Sequence, residues 1–268
     1  MRQLRALLAI VVSAFFLFPL YLVIANAFKT DPEILRSPAK PPIGPTLDGM
    51  SGVLSVGDVT GGLVNSLLIT GSTIALIMVV SSMLAFALHM SNSWISNAVG
   101  TVILFGLILP TPVILIPVFR VLKYVGLENS FPGLILFLCA YYAPFAVLVY
   151  RGFMRSIPRE LAEAASIDGA SLASIYWSVI LPLLRPATAS VLVICGVWVW
   201  NEFLPPLVLL GPLQGNTVTV GLFRSVGQFD VNYGQLFSYM LFVSIPVLVF
   251  YLLLQRYFVR GLTAGATK

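Results

Sequence analysis

The sequence predicts an all-α polytopic membrane protein with six transmembrane helices, and three observations carry that prediction. Hydrophobic residues make up 59% of the 268-residue chain and charged residues only 9%, whereas a soluble globular domain carries about 25% charge. The mean hydropathy is +0.98. Apolar runs near the roughly 20 residues that cross a bilayer recur along the chain. The expected spans are residues 6–27, 63–88, 99–122, 133–150, 187–210 and 236–258, within one transmembrane domain covering 1–268.

The first span follows Arg2 and Arg5. Ala25-Asn26-Ala27 is similar to a signal cleavage site, but the run exceeds the roughly 7 to 15 residues of a signal h-region, so it reads as a retained span with its N-terminus inside. Residues 29–62 are polar and rich in Pro and Gly (Pro38, Pro41, Pro42, Pro45, Gly49, Gly52, Gly57) and are expected outside. The second span is hydroxyl-rich, with Asn65, Ser66, Thr70, Ser72, Thr73, Ser81 and Ser82, which suits helix packing or a polar pathway. His89 ends it with no acidic or Cys partner nearby, which argues against a metal ligand. The third span holds Pro110, Pro112 and Pro117, a spacing that kinks or breaks a helix and frees backbone carbonyls. A translocation path and a structural kink both fit. The fourth contains Pro144-Phe145 and leads into residues 151–186.

The fifth span carries Trp198, Trp200, Asn201, Glu202 and Phe203 in its outer half. A carboxylate at membrane depth costs about 2.5 to 3.5 kcal/mol on insertion scales, so it should face the bundle or a water-filled cavity. Asn201, Glu202, Trp200 and, on the second span, Asn65 are therefore solute-pathway candidates. Aromatic faces beside amide and carboxylate groups suit carbohydrate. An interfacial aromatic belt is the competing reading. The sixth span is interrupted by Pro246 and ends at Arg256 and Arg260, beyond which the small-residue tail from Gly261 to Ala266 is expected to be disordered.

Residues 151–186 form the most polar segment after the first loop. Arg151, Arg155, Arg159 and Arg185 place it in the cytoplasm by the positive-inside rule. Pro158 suits a helix start, the run from Arg159 to Ile167 favours helix, Asp168-Gly169 reads as a turn, and Ser171 can cap a second helix from Leu172 to Leu181. With both termini inside, nine basic residues lie inside (Arg2, Arg5, Arg151, Arg155, Arg159, Arg185, Arg256, Arg260, Lys268) and six outside (Lys29, Arg36, Lys40, Arg120, Lys123, Arg224). The formal charge of +5 fits loops facing an anionic leaflet.

Glu163-Ala164-Ala165, then Gly169, Val179 and Leu181-Pro182, resembles the EAA loop of ABC importer permeases, with Val179 where the family usually has Ile. The ending Arg260-Gly261-Leu262-Thr263-Ala264-Gly265-Ala266 with Lys268 resembles the carbohydrate-uptake branch, in particular the maltose permease's G component. Trp200-Asn201-Glu202-Phe203, Gly126-Leu127 with Asn129-Ser130, Pro144-Phe145, Arg151-Gly152-Phe153, Asn65-Ser66 and Asn26-Ala27-Phe28-Lys29 also match its pattern. The resemblance implies a type I ABC importer-like fold with a cytoplasmic coupling helix. It implies ATPase coupling through Glu163, Ala164, Ala165, Asp168, Gly169, Leu181 and Pro182, and a C-terminal ATPase contact through Gly261, Leu262, Thr263 and Gly265. A second permease subunit, two ATPase subunits and an extracytoplasmic solute-binding protein are the implied partners. The implied location is the bacterial or archaeal plasma membrane, multi-pass, with both termini cytoplasmic.

The chain itself carries no catalytic set. No Gly precedes a Lys, so there is no P-loop, and ATP and Mg are expected in the partner ATPase rather than here. One histidine at a helix end assembles no Ser/His/Asp triad, and Cys139 and Cys195, both within apolar runs, lack metal-ligand spacing. No exposed aromatics interleave with the arginines, so no nucleic-acid surface is expected. The reading is a permease subunit for a sugar or sugar-like solute, working by alternating access. An ion- or proton-coupled secondary transporter using Glu202 is the alternative.

Overall fold

The computed structural model describes residues 2–266 except 56–57, 92, 212–213 and 227–230; the side chains of Arg2, Asp58 and residues from 253 onward lie outside the description. All regular elements among the described residues are helical. In chain order they are α1 (Arg2–Ala27), α2 (Asp31–Arg36), α3 (Asp48–Ser55), α4 (Asp58–Met90), α5 (Trp94–Phe105) with a 3₁₀ turn (Gly106–Ile108), α6 (Thr111–Tyr124), α7 (Phe131–Met154), α8 (Glu160–Ile167), α9 (Leu172–Ser174) running into a π-helix (Ile175–Ile180), α10 (Leu181–Leu183), α11 (Arg185–Trp200), α12 (Leu204–Leu209), α13 (Val218–Ser225) and α14 (Tyr233–Ala266).

Among the described residues, four helices are long and apolar enough to cross a membrane: Gln3–Ala27, Val59–Met90, Phe131–Met154 and Tyr233–Leu252. Two bent pairs bring the number to six if each is one span. Trp94–Ile108 and Thr111–Tyr124 meet at 111°, and Leu172–Leu183 and Arg185–Trp200 at 73°. Of the three prolines in the first pair, Pro110 sits at the break in extended conformation, Pro112 lies in the first turn of α6, where no N–H is needed, and Pro117 is carried inside the helix.

The chain divides into two compact units. One comprises residues 1–65 and 216–248. Val53 and Val59 pack with Tyr239, and Leu63, Leu222, Phe242 and Val243 surround them. At Gly49 of α3 a Cβ would sit 2.5 Å from the Gly234 carbonyl oxygen of α14, so only Gly permits this approach. The Asp31 carboxylate accepts from the Tyr233 and Gly234 amides at 3.0 and 2.9 Å, in the first turn of α14, where a negative charge is stabilised. Lys29 is 1% exposed, and its Nζ donates to Asn26 Oδ1, Ser37 O and Pro38 O at 2.9, 3.0 and 3.1 Å. Its presence among the outside cations thus has a structural reason: it ties the end of α1 to the loop after α2.

The other unit comprises residues 66–215 and 249–268 and holds two apolar clusters. One gathers Ile69, Leu115, Leu122, Leu134, Phe137, Leu138, Val199, Leu209 and Leu210. The other joins α4 and α7 to the segment from Ala162 to Leu184. Between α6 and α7, Gly126 (φ 73°) and Asn129 (φ 48°) make the reversal. Ser130 Oγ accepts from the Gly133 amide at 3.2 Å and donates to Leu127 O at 2.7 Å, capping α7.

Two expectations meet a different structure. A continuous helix over 187–210 is interrupted: α11 stops at Trp200, and α12 restarts at Leu204. Pro205 and Pro206 lack the N–H groups that would bond the Asn201 and Glu202 carbonyls, so the helix cannot continue. The tail expected to be disordered continues α14 to Ala266. Gly261, Leu262, Thr263 and Gly265 lie on this stretch, and their side chains are outside the described residues.

Candidate functional site

The segment after α7 is built as a lever. Pro158 precedes α8, and the helix closes at Gly169 with φ 83°. The Ala170 amide donates to Ala165 O at 3.0 Å and the Gly169 amide to Ser166 O at 3.1 Å, the paired bonds of a glycine-dependent C-terminal cap. Ser171 Oγ accepts from the Ser174 amide at 3.2 Å and starts α9. The Leu181 amide then reaches Tyr176 O, one residue further back than in an α-helix. Pro182 accounts for this widening, because it has no N–H for the Ser178 carbonyl and its ring crowds that group in α geometry.

One side of the lever is clamped to the spans. Ala162, Ile175, Tyr176, Ile180 and Leu184 are buried against Ile77, Ala85, Phe86, Tyr150 and Met154. Tyr176 OH and Ser82 Oγ of α4 lie 2.7 Å apart, and its ring meets that of Phe86 at 5.4 Å. The other side is bare. Glu163, Ala164, Asp168, Gly169 and Pro182 are exposed, Ala165 and Leu181 are half-buried, and Ile167 and Leu172 on either side of Gly169 are 87% and 63% exposed. Polar loops rarely present such side chains without a partner.

The break after α11 places the second group. Asn201 Nδ2 donates to Val197 O at 2.8 Å and caps its own helix. Trp200 is 7% exposed, with no hydrogen-bond partner for its Nε1 among the described residues. Glu202 Oε1 accepts from Tyr142 OH of α7. Around that bond the rings of Tyr141, Tyr142, Phe145 and Trp198 are in sequential contact, with centroids 5.0 Å apart for Tyr141–Tyr142, 5.6 Å for Tyr142–Trp198 and 4.7 Å for Phe145–Trp198. With Gly106, Leu107 and Thr111 they line a cavity of about 320 Å³. Tyr141 OH also donates to Leu109 O at the α5–α6 break, at 3.2 Å, so a carbonyl left at the break gains a donor.

Glu202 sits at this break, bonded to Tyr142, with neighbours other than those the sequence reading names. Trp198, rather than Trp200, faces the cavity, and the sequence reading does not single out the tyrosines of α7. The Tyr141-Tyr142 doublet within an apolar run is the signal that points to them. Asn65 belongs to the other unit, where its Nδ2 donates to Asn216 O at 3.0 Å. Among the described residues no group of His, Cys, Asp and Glu can hold a metal ion.

A helical segment packed on one side against the spans and bare on the other, beside spans that carry a polar interruption, fits an integral-membrane transport subunit. The chain belongs to the family of binding-protein-dependent transport system inner membrane components, whose model matches residues 77–264. It is 30% identical over 269 residues to the melibiose/raffinose/stachyose import permease protein MelC of Bacillus subtilis (strain 168), covering 100% of this chain and 97% of that protein. It is also 30% identical over 268 residues to the probable starch degradation products transport system permease protein AmyC of Thermoanaerobacterium thermosulfurigenes, again covering 100% and 97%. Its fold matches a chain in the crystal structure of a bacterial ABC transporter involved in the import of the acidic polysaccharide alginate, with a TM-score of 0.83, 21% identity and 95% of each chain covered. The chain is therefore a multi-pass permease subunit of an ABC importer, a transport component and not an enzyme. Nothing supports the ion-coupled alternative.

Proposed function

We propose that this subunit imports a sugar or short oligosaccharide delivered by an extracytoplasmic binding protein, through a heterodimer with a second permease subunit, driven by two ATPase subunits. ATP and Mg are held and used in those ATPase chains. Both termini and the lever lie in the cytoplasm. Coupling runs through Glu163, Ala164, Ala165, Asp168, Gly169, Leu181 and Pro182, and the tail residues Gly261, Leu262, Thr263 and Gly265 add an ATPase contact. The observation that carries this reading is the two-sidedness of the lever: Tyr176 and Ile175 are locked to the spans, while Ile167 and Leu172 stand exposed beside Gly169. An ATPase that binds one position of the lever better than the other drives the spans between two states.

The solute passes Glu202 and the aromatic cavity next to it, with Trp198 and Tyr142 offering ring faces and Glu202 a hydrogen-bonding group. The names of the relatives, which specify melibiose, raffinose, stachyose and starch degradation products, favour carbohydrate. Trp200, Asn201 and Asn65 act as supports in this reading, as their contacts suggest.

The test is a cysteine placed at the exposed Ala164 in a chain lacking Cys139 and Cys195, cross-linked in native membranes. Capture of a P-loop ATPase that depends on the new cysteine is expected. Failure to capture one, from membranes rich in the folded chain, would overturn the coupling assignment.

A further inference from the structure

The end of the α4 span carries a second, differently built cavity. Leu88, His89, Ser91, Asn97, Arg151, Arg155, Ile157 and Arg159 line a space of about 260 Å³, and the polar groups lining it are cations and hydrogen-bond donors with no carboxylate among them. Arg151 and Arg155 come from the end of α7 and Arg159 caps α8, so three guanidinium groups converge from one continuous stretch. None forms an ion pair among the described residues. Glu163 lines a neighbouring cavity that also includes His89 and Arg159. The Arg151 guanidinium lies directly on Gly100 of α5, where a Cβ would collide with Nη1. Gly100 thus makes room for a charge to sit between the helices.

Positive-inside bias explains arginines in a cytoplasmic loop but not their convergence on one cavity. Three like charges around a shared space repel, and an anion between them removes that cost. Planar guanidinium forks match phosphate oxygens in particular. The depth identifies the source. The cavity opens where α4 ends at Met90 and α5 begins at Trp94, whose ring is 78% exposed and which shares a helix side with Asn97 at i, i+3. Exposed Trp at a span end marks headgroup level. Basic pockets between transmembrane helices at that level take anionic headgroups.

We propose that this cavity binds the phosphate headgroup of an anionic phospholipid, seating it between α4, α5 and α7 at the root of the lever. The leaflet, cytoplasmic, rests on the orientation given under Proposed function; the site itself does not. A bound lipid would fix Arg155 and Arg159 against the end of α4 and make the stiffness of the lever's base depend on membrane composition.

The experiment is native mass spectrometry of the full chain, titrated in mixed micelles with dioleoylphosphatidylglycerol or dioleoylphosphatidylcholine. Phosphatidylglycerol should bind preferentially, and Arg155→Gln with Arg159→Gln should weaken its binding by roughly 30-fold, since each basic group near a surface contributes about a factor of five. Arg151 is left in place because its packing on Gly100 supports the fold. Arg120→Gln with Lys123→Gln, which removes the same charge elsewhere, should leave the preference intact. Equal loss in both double variants would mean bulk charge alone and overturn the site. So would an absence of preference in the unaltered chain, including the case where Ala164 cross-linking to the ATPase instead depends on Arg155 and Arg159. Displacement of the lipid by millimolar inorganic phosphate would assign the cavity to a free anion and overturn the lipid source. Because micelles have no inside or outside, a wrong orientation would appear only in accessibility labelling of Ser91→Cys in sealed vesicles, apart from any of these results.

Discussion

Replacing Tyr142 with Phe removes one hydroxyl and keeps a ring. The ring contacts to Tyr141 at 5.0 Å and Trp198 at 5.6 Å survive, so the loss falls on the bond donated to Glu202. A hydrogen bond contributes about 0.5 to 1.5 kcal/mol between neutral partners and about 1.5 to 3 kcal/mol when one partner is ionised. Glu202 is half-buried and bonded to Tyr142, which lines the cavity, and water would replace the hydroxyl poorly. A double-mutant cycle of Tyr142→Phe and Glu202→Gln, read as unfolding free energy in mixed micelles, should therefore give a coupling of at least about 1 kcal/mol. The same pair should raise the KM for ATP-driven uptake in reconstituted vesicles, with Tyr142→Phe milder than Trp198→Ala because it leaves the aromatic wall standing. Additivity of the two changes within about 0.5 kcal/mol would refute the assignment, since independent sites behave that way. An unaltered KM in Trp198→Ala, with protein folded and abundant, would remove the cavity from the solute path.

Other residues give simpler tests. Gly169 holds φ 83°, and a Cβ there would meet nothing within 4 Å, so Gly169→Val should cost about 1 to 2 kcal/mol of local strain without a clash; membrane levels should stay normal while ATP-driven uptake falls, and Gly169→Asn, which tolerates this conformation, should retain most uptake. Lys29→Met leaves one buried and two part-buried acceptors without their donor and should lower the unfolding free energy by about 1 to 3 kcal/mol, measured by denaturant titration in micelles. At Gly196 a Cβ would lie 3.0 Å from Phe250 Cζ and 3.2 Å from Ile74 Cδ1. Gly196→Leu should thus force α4, α11 and α14 apart at a cost of about 1 to 3 kcal/mol, seen as a lower thermal midpoint, whereas Gly196→Ala needs shifts of only a few tenths of an ångström.

Chemistry that lies close together along the chain is what the sequence makes legible. Run length and composition mark the apolar stretches, and among the described residues four long helices and two bent pairs carry them, though the second pair runs from Leu172 to Trp200 rather than over 187–210. The lever is equally readable, because Pro158, Gly169 and Ser171 each fix the conformation of their own or an adjacent residue. Lys29 is not, since nothing in the polar loop after α1 shows that its ammonium group is held by carbonyls eight and nine residues on. The end of α14 departs from expectation for a related reason: a string of small residues after two arginines has weak intrinsic order, yet here it extends an existing helix, which costs less than nucleating one.

Glu202 shows where local reading stops and what replaces it. Its insertion cost signals a polar surrounding but not which one, and its donor lies 60 residues away on α7. The signal that places it is local after all. Pro205 and Pro206 forbid a continuous helix through Asn201 and Glu202, so both must sit at a break with free carbonyls, and a break at membrane depth has to be lined by protein donors or water. Tyr141 donates at another interruption, to Leu109 at the α5–α6 break, while the adjacent Tyr142 serves Glu202 between α11 and α12; the bend of the second pair lies elsewhere, at Leu184. Two consecutive tyrosines of α7 thus serve two interruptions, and both rings line the aromatic cavity. Prolines accompany both of these breaks, and the tyrosine pair ties each of them to the same helix, α7.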